Sequence, residues 1–319
     1  MTILVKLARP MIISHRMKTY IVSLFLVSSV LMAQETTNTP VKLPTVTVQG
    51  TPESQELIRP YNQPRWSARG RFSSETDVYV LPPWSFYVDL DYQGTVPKHG
   101  DSVHLFTQEF ELGLPHRFQL AYENNVEVQS RRTQVTMQTI EARYALADWG
   151  KIPLNPTLFA EYKFGVGKDY GAEEDPGDPA PRIPDAFEIR LLVGEQFAQK
   201  FQWSLNIFHE QETGGEREWE TGFSQALSYA LRDEYLKVGV EMQFIRRSDA
   251  EDRSRPEYEF ELGPSFTWKP TRRTRFDVAA LFGATHDSPV AKVFVVFSIG
   301  FGKGDEEAEG TAPISTQNR

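Results

Sequence analysis

Carboxylates spaced two or four residues apart are what this sequence offers for chemistry. Asp89 and Asp91, Glu109 and Glu111, Glu123 and Glu127, and Glu257, Glu259 and Glu261 interleave with apolar or aromatic residues. A second set couples acid to base two residues apart: Glu141 with Arg143, Glu161 with Lys163, and Glu188 with Arg190. On an extended chain, residues an even number apart share a face. Such faces can brace a wet wall or select ions. They cannot fill a dry core unpaired, because desolvating so many charges would be prohibitive. Covalent catalysis is a poor fit. The chain has no Cys, and none of its six His (His15, His99, His104, His116, His209, His286) has a serine on its own strand face with an orienting Asn or Asp. His209 and Glu210 are adjacent, so a strand would point them to opposite faces. HExxH, phosphate-loop and dinucleotide patterns are absent, so the residues imply no enzyme, metal or cofactor.

The elements that must position these charges are strands. From Trp84 to Phe301 the sequence repeats about ten residues of apolar/polar alternation and then a polar break, the period-two signature of a half-apolar strand,. Twelve such runs can be counted. The breaks alternate in character: residues 113–116, 195–200, 232–233 and 269–273 are tight, whereas residues 165–184 and 246–256 are long and polar or charged. Short turns on one rim and long loops on the other are the rhythm of an antiparallel barrel of the bacterial outer membrane. A soluble sandwich is the alternative, but its strands run about five or six residues. These runs are nearer the ~9–11 residues that cross a bilayer with tilt. Tyr and Trp also gather near the strand ends, as in Trp84, Tyr92, Tyr144, Trp203, Trp219 and Trp268, where a membrane interface favours them. Lipid tolerates no unpaired backbone. The expected fold is therefore all-β: a closed antiparallel up-and-down transmembrane β-barrel of about 12 strands. With the apolar face toward lipid, the inward face carries 16 acids, the ones above together with Glu210, Glu220, Glu241 and Asp277. It carries six bases, the three above together with Lys237, Arg275 and Lys292.

The ends of the chain read differently. Residues 1–33 hold a basic start, an apolar run from Tyr20 to Met32 and a small Ala33, the layout of a secretory signal peptide; an internal start at Met17 is an alternative. Residues 34–72 are rich in Thr, Pro and Gln without a period and are expected to be a disordered periplasmic leader. Residues 73–302 are the barrel, and 303–319 an acidic disordered tail. The whole chain has 43 acids against 34 bases, for a formal charge of −9. That balance offers no basic patch for nucleic acid.

Resemblances add to this reading. Leu43-Pro44-Thr45-Val46-Thr47-Val48 resembles the energy-coupling box of TonB-dependent receptors, but the chain is too short for their plug and 22-stranded barrel, so a β-prone patch in a linker accounts for it. The run Ala291 to Phe301, with Phe297, Ile299 and Phe301 facing one way, resembles the C-terminal strand signal read by the barrel-assembly machinery. The hairpin from Gln108 to Glu123, Ser74 to Asp77 with Leu81-Pro82, and Arg143 to Asn155 resemble a family of outer-membrane barrels labelled transporters of the phenol-degradation meta-pathway type. The resemblance implies a pore or transporter for small molecules. The expectation is a monomer in the outer membrane of a Gram-negative bacterium, contacting outer-membrane lipid, the assembly machinery and a small-molecule permeant, and favouring cations. A closed structural or adhesive barrel is the alternative, followed by a lipid-active enzyme. Twelve strands lie between the filled eight-stranded barrel and the open channel of 16–18 strands.

Overall fold

Strand after strand, the alternation of the sequence becomes a closed wall. The computed structural model describes residues 60–63 and 77–302, apart from residues 131, 170–179, 199, 216, 233–234, 251–252 and 272. The expected signal peptide, most of the leader and the acidic tail from residue 303 lie outside the described residues, as does the Leu43–Val48 box. Twelve strands follow one another: β1 (Phe86–Val96), β2 (Val103–Leu114), β3 (Phe118–Gln129), β4 (Arg132–Ala145), β5 (Thr157–Gly165) and β6 (Ala186–Phe197), then β7 (Phe201–Glu212), β8 (Trp219–Arg232), β9 (Leu236–Ser248), β10 (Glu257–Trp268), β11 (Thr274–Gly283) and β12 (Ala291–Phe301). Each pairs antiparallel with its sequence neighbours, and β1 pairs with β12 to close the barrel.

The apolar halves of the strands point outward. Leu90, Ile140, Leu158, Ile189, Ile207, Val240 and Phe282 are all exposed on the outer surface. Water would penalise such a continuous belt, whereas a hydrocarbon environment accepts it. Rings ladder across neighbouring strands on this face, with Phe86 lying 6.4 Å from Phe110 and 6.2 Å from Phe301 between ring centroids. Phe297, Ile299 and Phe301, the residues of the expected assembly signal, sit on β12 at the closing seam, where they face Leu90, Val88 and Phe86.

One rim is closed by tight turns. His116 and Arg117 both take positive φ between β2 and β3, the backbone twist that short hairpins use. Residues 146–156, between β4 and β5, fold compactly on the same rim: Asn155 accepts from the Gly150 amide at 2.5 Å and donates to the Gly194 carbonyl at 2.9 Å. The segment before β1 is not idle chain. Residues 77–83 lie inside the barrel at this rim, and Val78, Tyr79, Val80 and Leu81 are all buried. Pro60–Asn62, within the stretch expected to be disordered, form a short 3-10 turn and, with Gln63, are tied down at three points. Tyr61 donates to the Leu114 carbonyl, Asn62 to that of Trp149, and Gln63 to that of Val80. Buried polar groups require such partners, which is why this part of the leader is ordered.

Candidate functional site

The inner wall is where the charges of the sequence come together. Strand register places acid opposite acid around much of the barrel: Asp89 faces Glu109, and Glu109 faces Glu123. After a step of two residues at β4, Glu141 faces Glu161, Glu161 faces Glu188, Glu188 faces Glu210 and Glu210 faces Glu220. Asp89 lies near the short-turn end of β1 and Glu220 at the long-loop end of β8. The row therefore climbs the wall from one rim to the other. Like charges directly opposed repel, and bases set two residues off the row compensate.

Lys163 is the hub of the row. Its ammonium lies 2.9 Å from Glu161, 3.1 Å from Glu188 and 2.6 Å from Glu210. Arg190 pairs with Glu188 as well. Arg143 pairs with Glu141 and lies 3.6 Å from both Glu109 and Glu111. The Phe159 ring sits between the two guanidinium groups, 5.4 Å from Arg143 and 5.1 Å from Arg190, where its face attracts cations. Glu161, Glu188 and Glu210 bring carboxylate oxygens within 4.8 Å of one another, as do Glu109, Glu123 and Glu141. Such triads could in principle ligate a cation, but Lys163 occupies the first and Arg143 flanks the second.

The third strong group is at the long-loop rim. Arg247 lies 2.7 Å from Glu218, 2.5 Å from Glu220 and 2.9 Å from Glu259, and Lys292 bridges Glu259 at 3.2 Å and Glu261 at 3.0 Å. Three carboxylates share one guanidinium, so not all can be fully compensated. Burial, with Glu220 alongside, pushes the Glu218 carboxyl up to about 8 against the pull of Arg247.

Among the residues singled out in the sequence, Asp89, Glu109, Glu111, Glu141, Arg143, Glu161, Glu188, Glu259 and Glu261 are buried on the inner wall. Asp91, Glu123, Glu127, Lys163 and Arg190 are half-buried, and Glu257 is exposed at the rim. Sequence reasoning missed Arg247. It has the parity of Glu241 and sits one turn of the pleat beyond Ile245, so extending β9 three residues past Phe244 would have found it. Sequence reasoning also treated the inner wall as polar throughout. Phe159, Leu192, Phe208, Ile245, Leu281 and Phe294 are inward and buried, beside the charges.

The inserted segment supplies the remaining contacts. Val78 packs with Phe159, Leu192 and Ala226, and a side chain at Gly194 would collide with it. The Asp77 carboxylate lies 3.8 Å from Arg275, which pairs with Asp277 at 2.6 Å. Residues 77–81 thus reach from β3 to β11 across the lumen. The Leu81 amide donates to Gln119 at 2.8 Å, and Gln119 donates to Glu111 at 3.0 Å, tying the segment to the Arg143 group. Tyr79 donates to the Ala147 carbonyl at 2.7 Å and meets the Trp149 ring edge-on at 5.3 Å; burial pushes its phenol up from the ordinary value, keeping it a donor.

No protein-family profile and no curated protein matches the sequence, so the likeness to the meta-pathway family rests on the short stretches at residues 74–82, 108–123 and 143–155 alone. Solved structures do match in fold. A COG4313 outer membrane channel from Pseudomonas putida F1 superposes with a TM-score of 0.52 at 9% identity, over 70% of this chain and 98% of that one. The NanC porin matches with a TM-score of 0.46 at 7% identity, over 68% and 99% of the two chains. The KdgM porin gives 0.44 at 10%, over 67% and 100%.

Proposed function

We propose that this protein is a channel of the Gram-negative outer membrane through which small molecules diffuse passively, and whose acidic wall favours cations. The observation that carries the reading is the row of inward carboxylates running from rim to rim inside a belt of outward apolar side chains. A barrel evolved only as a strut gains nothing from placing acid opposite acid, because apolar pairs would pack at lower cost. A charged wall with low-dielectric surroundings instead focuses potential along a path, and acid-lined pores prefer cations for that reason. Residues 77–81 narrow the path at the periplasmic side, which restricts permeants to small ones. The same segment favours a second reading, a barrel closed at rest.

Reconstitution of the purified protein in a planar bilayer with a salt gradient tests the proposal. Discrete conductance steps and a cation-selective reversal potential are expected. A folded, heat-modifiable protein that gives no steps would instead establish the closed barrel.

A further inference from the structure

Two triads of carboxylates on the inner wall are built alike. Glu161, Glu188 and Glu210 bring oxygens from β5, β6 and β7 within 4.8 Å of one another, and Glu109, Glu123 and Glu141 do the same for β2, β3 and β4. The first triad holds a cation of the chain's own. The Lys163 ammonium touches all three of its members, and that compensation is what lets acid stand opposite acid there. No lysine pairs with a member of the second triad among the described residues. Arg143 pairs with one oxygen of Glu141 and stays 3.6 Å from Glu109 and from Glu111. Glu123 has neither a hydrogen bond nor an ion pair among the described residues.

Carboxylates alone do not make a site, since water can solvate them. Beside these three, however, is a polar group that water does not reach. Thr139 is 1% exposed, and its hydroxyl is buried without a hydrogen-bond partner. Register places Thr139 directly opposite Glu123. It also precedes Glu141 by two residues, on the same inward face of β4,. Across the other ladder it faces Lys163, whose ammonium is already engaged by its own triad. A buried hydroxyl ordinarily finds a partner, and one beside carboxylates has acceptors at hand. This one donates to none of them, which leaves its lone pairs for a cation.

We propose that Glu109, Glu123, Glu141 and Thr139 form a calcium site on the inner wall. Every ligand is an oxygen, which suits a hard cation and not the softer metals that seek imidazole or thiolate. Calcium takes about six to eight oxygens at ~2.3–2.6 Å in irregular arrangements, whereas magnesium demands a near-ideal octahedron at ~2.0–2.1 Å. Four side chains fixed on three strands of a pleated wall favour the tolerant ion. Lumen water, which reaches half-buried Glu123, completes its shell. Bound there, calcium clasps β2, β3 and β4 as Lys163 clasps β5, β6 and β7. The site needs only the folded barrel, so it stands whether or not the lumen conducts.

Calorimetric titration of the full chain with calcium chloride tests the site. The protein is refolded in detergent without lipopolysaccharide, which itself binds divalent ions, then stripped with EDTA and held in ~0.15 M sodium chloride to screen diffuse charge. Saturable binding of a single calcium ion is expected, with magnesium bound more weakly. Glu123→Gln should lose the binding. Thr139→Val keeps the shape of the side chain and removes only the hydroxyl, so it should fold, shift on a gel when heated as the natural protein does, and bind calcium more weakly. Glu257→Gln, at the rim, should bind as the natural protein does. No calcium binding by the folded natural protein would overturn the site, as would undiminished affinity in Thr139→Val. Equal weakening by Glu257→Gln and Glu123→Gln would also overturn it, because the ion would then be responding to the wall's overall charge.

Discussion

At the scale of the residue, the inner wall depends on a few bases that each serve several acids. Lys163 holds Glu161, Glu188 and Glu210, and removing its charge leaves three carboxylates crowded in a poorly hydrated place. Breaking a buried pair costs about 3–5 kcal/mol because the remaining charge is uncompensated. Lys163→Met should therefore lower the urea midpoint of the detergent-folded barrel strongly, and Lys163→Arg only slightly. Equal midpoints for natural protein and Lys163→Met would show that the ammonium is not what holds the triad. Gln119 acts differently, linking the inserted segment to the wall through Leu81 and Glu111. One such hydrogen bond is worth about 1 kcal/mol net, about a fivefold change in population. If residues 77–81 close the barrel at rest, Gln119→Leu should accordingly raise the open fraction of the reconstituted protein by about that factor. Unaltered conductance histograms would mean that residues 77–81 stay in place without this link.

At the scale of the element, period-two alternation made the strands and their inward charges readable, because one slip of register would turn every apolar side chain inward. The couples Glu141/Arg143, Glu161/Lys163 and Glu188/Arg190 were legible as spacing. That Glu161 would face Glu141 and Glu188 was not, since register depends on how far each strand slides along its neighbour. The seat of residues 77–81 was illegible for a related reason: Val78, Tyr79, Val80 and Leu81 are apolar without a repeating partner pattern, and only the closed barrel supplies the walls they pack on. Strand β9 was read too short, which hid the clasp of Arg247 on Glu218, Glu220 and Glu259. That clasp has a pH signature. The Glu218 carboxyl is pushed from 4.5 to about 8 in the fold, so between those values the folded state binds more protons than the unfolded one, and stability falls as pH rises. The urea midpoint should decline from about pH 5 to about pH 8.5 more steeply in the natural protein than in Glu218→Gln. Identical slopes would place the titration elsewhere.

At the scale of the whole molecule, what matters is the sum of charges that the barrel encloses. Among the described residues, the acids expected on the inward face still outnumber the bases once Arg247 joins the six expected, although each of these bases is engaged. Screening extends ~8 Å at physiological salt and ~3 Å at 1 M, so cation preference should be clear at low salt and fade as salt rises. The decisive residues are on β10. Glu257 is exposed at the rim, and Glu257→Gln alone should change the reversal potential little. Glu259 and Glu261 are held by Arg247 and Lys292, and neutralising both leaves Lys292 without its partners and Arg247 with one acid fewer. The triple replacement of Glu257, Glu259 and Glu261 by Gln therefore takes the long-loop group from acid-dominated to balanced, with Glu218 and Glu220 left against Arg247 and Lys292. The reversal potential in a salt gradient should move toward zero or change sign in the triple variant. Anion preference in the natural protein, or the same reversal potential in both, would remove the wall's charge from the account of what passes through it.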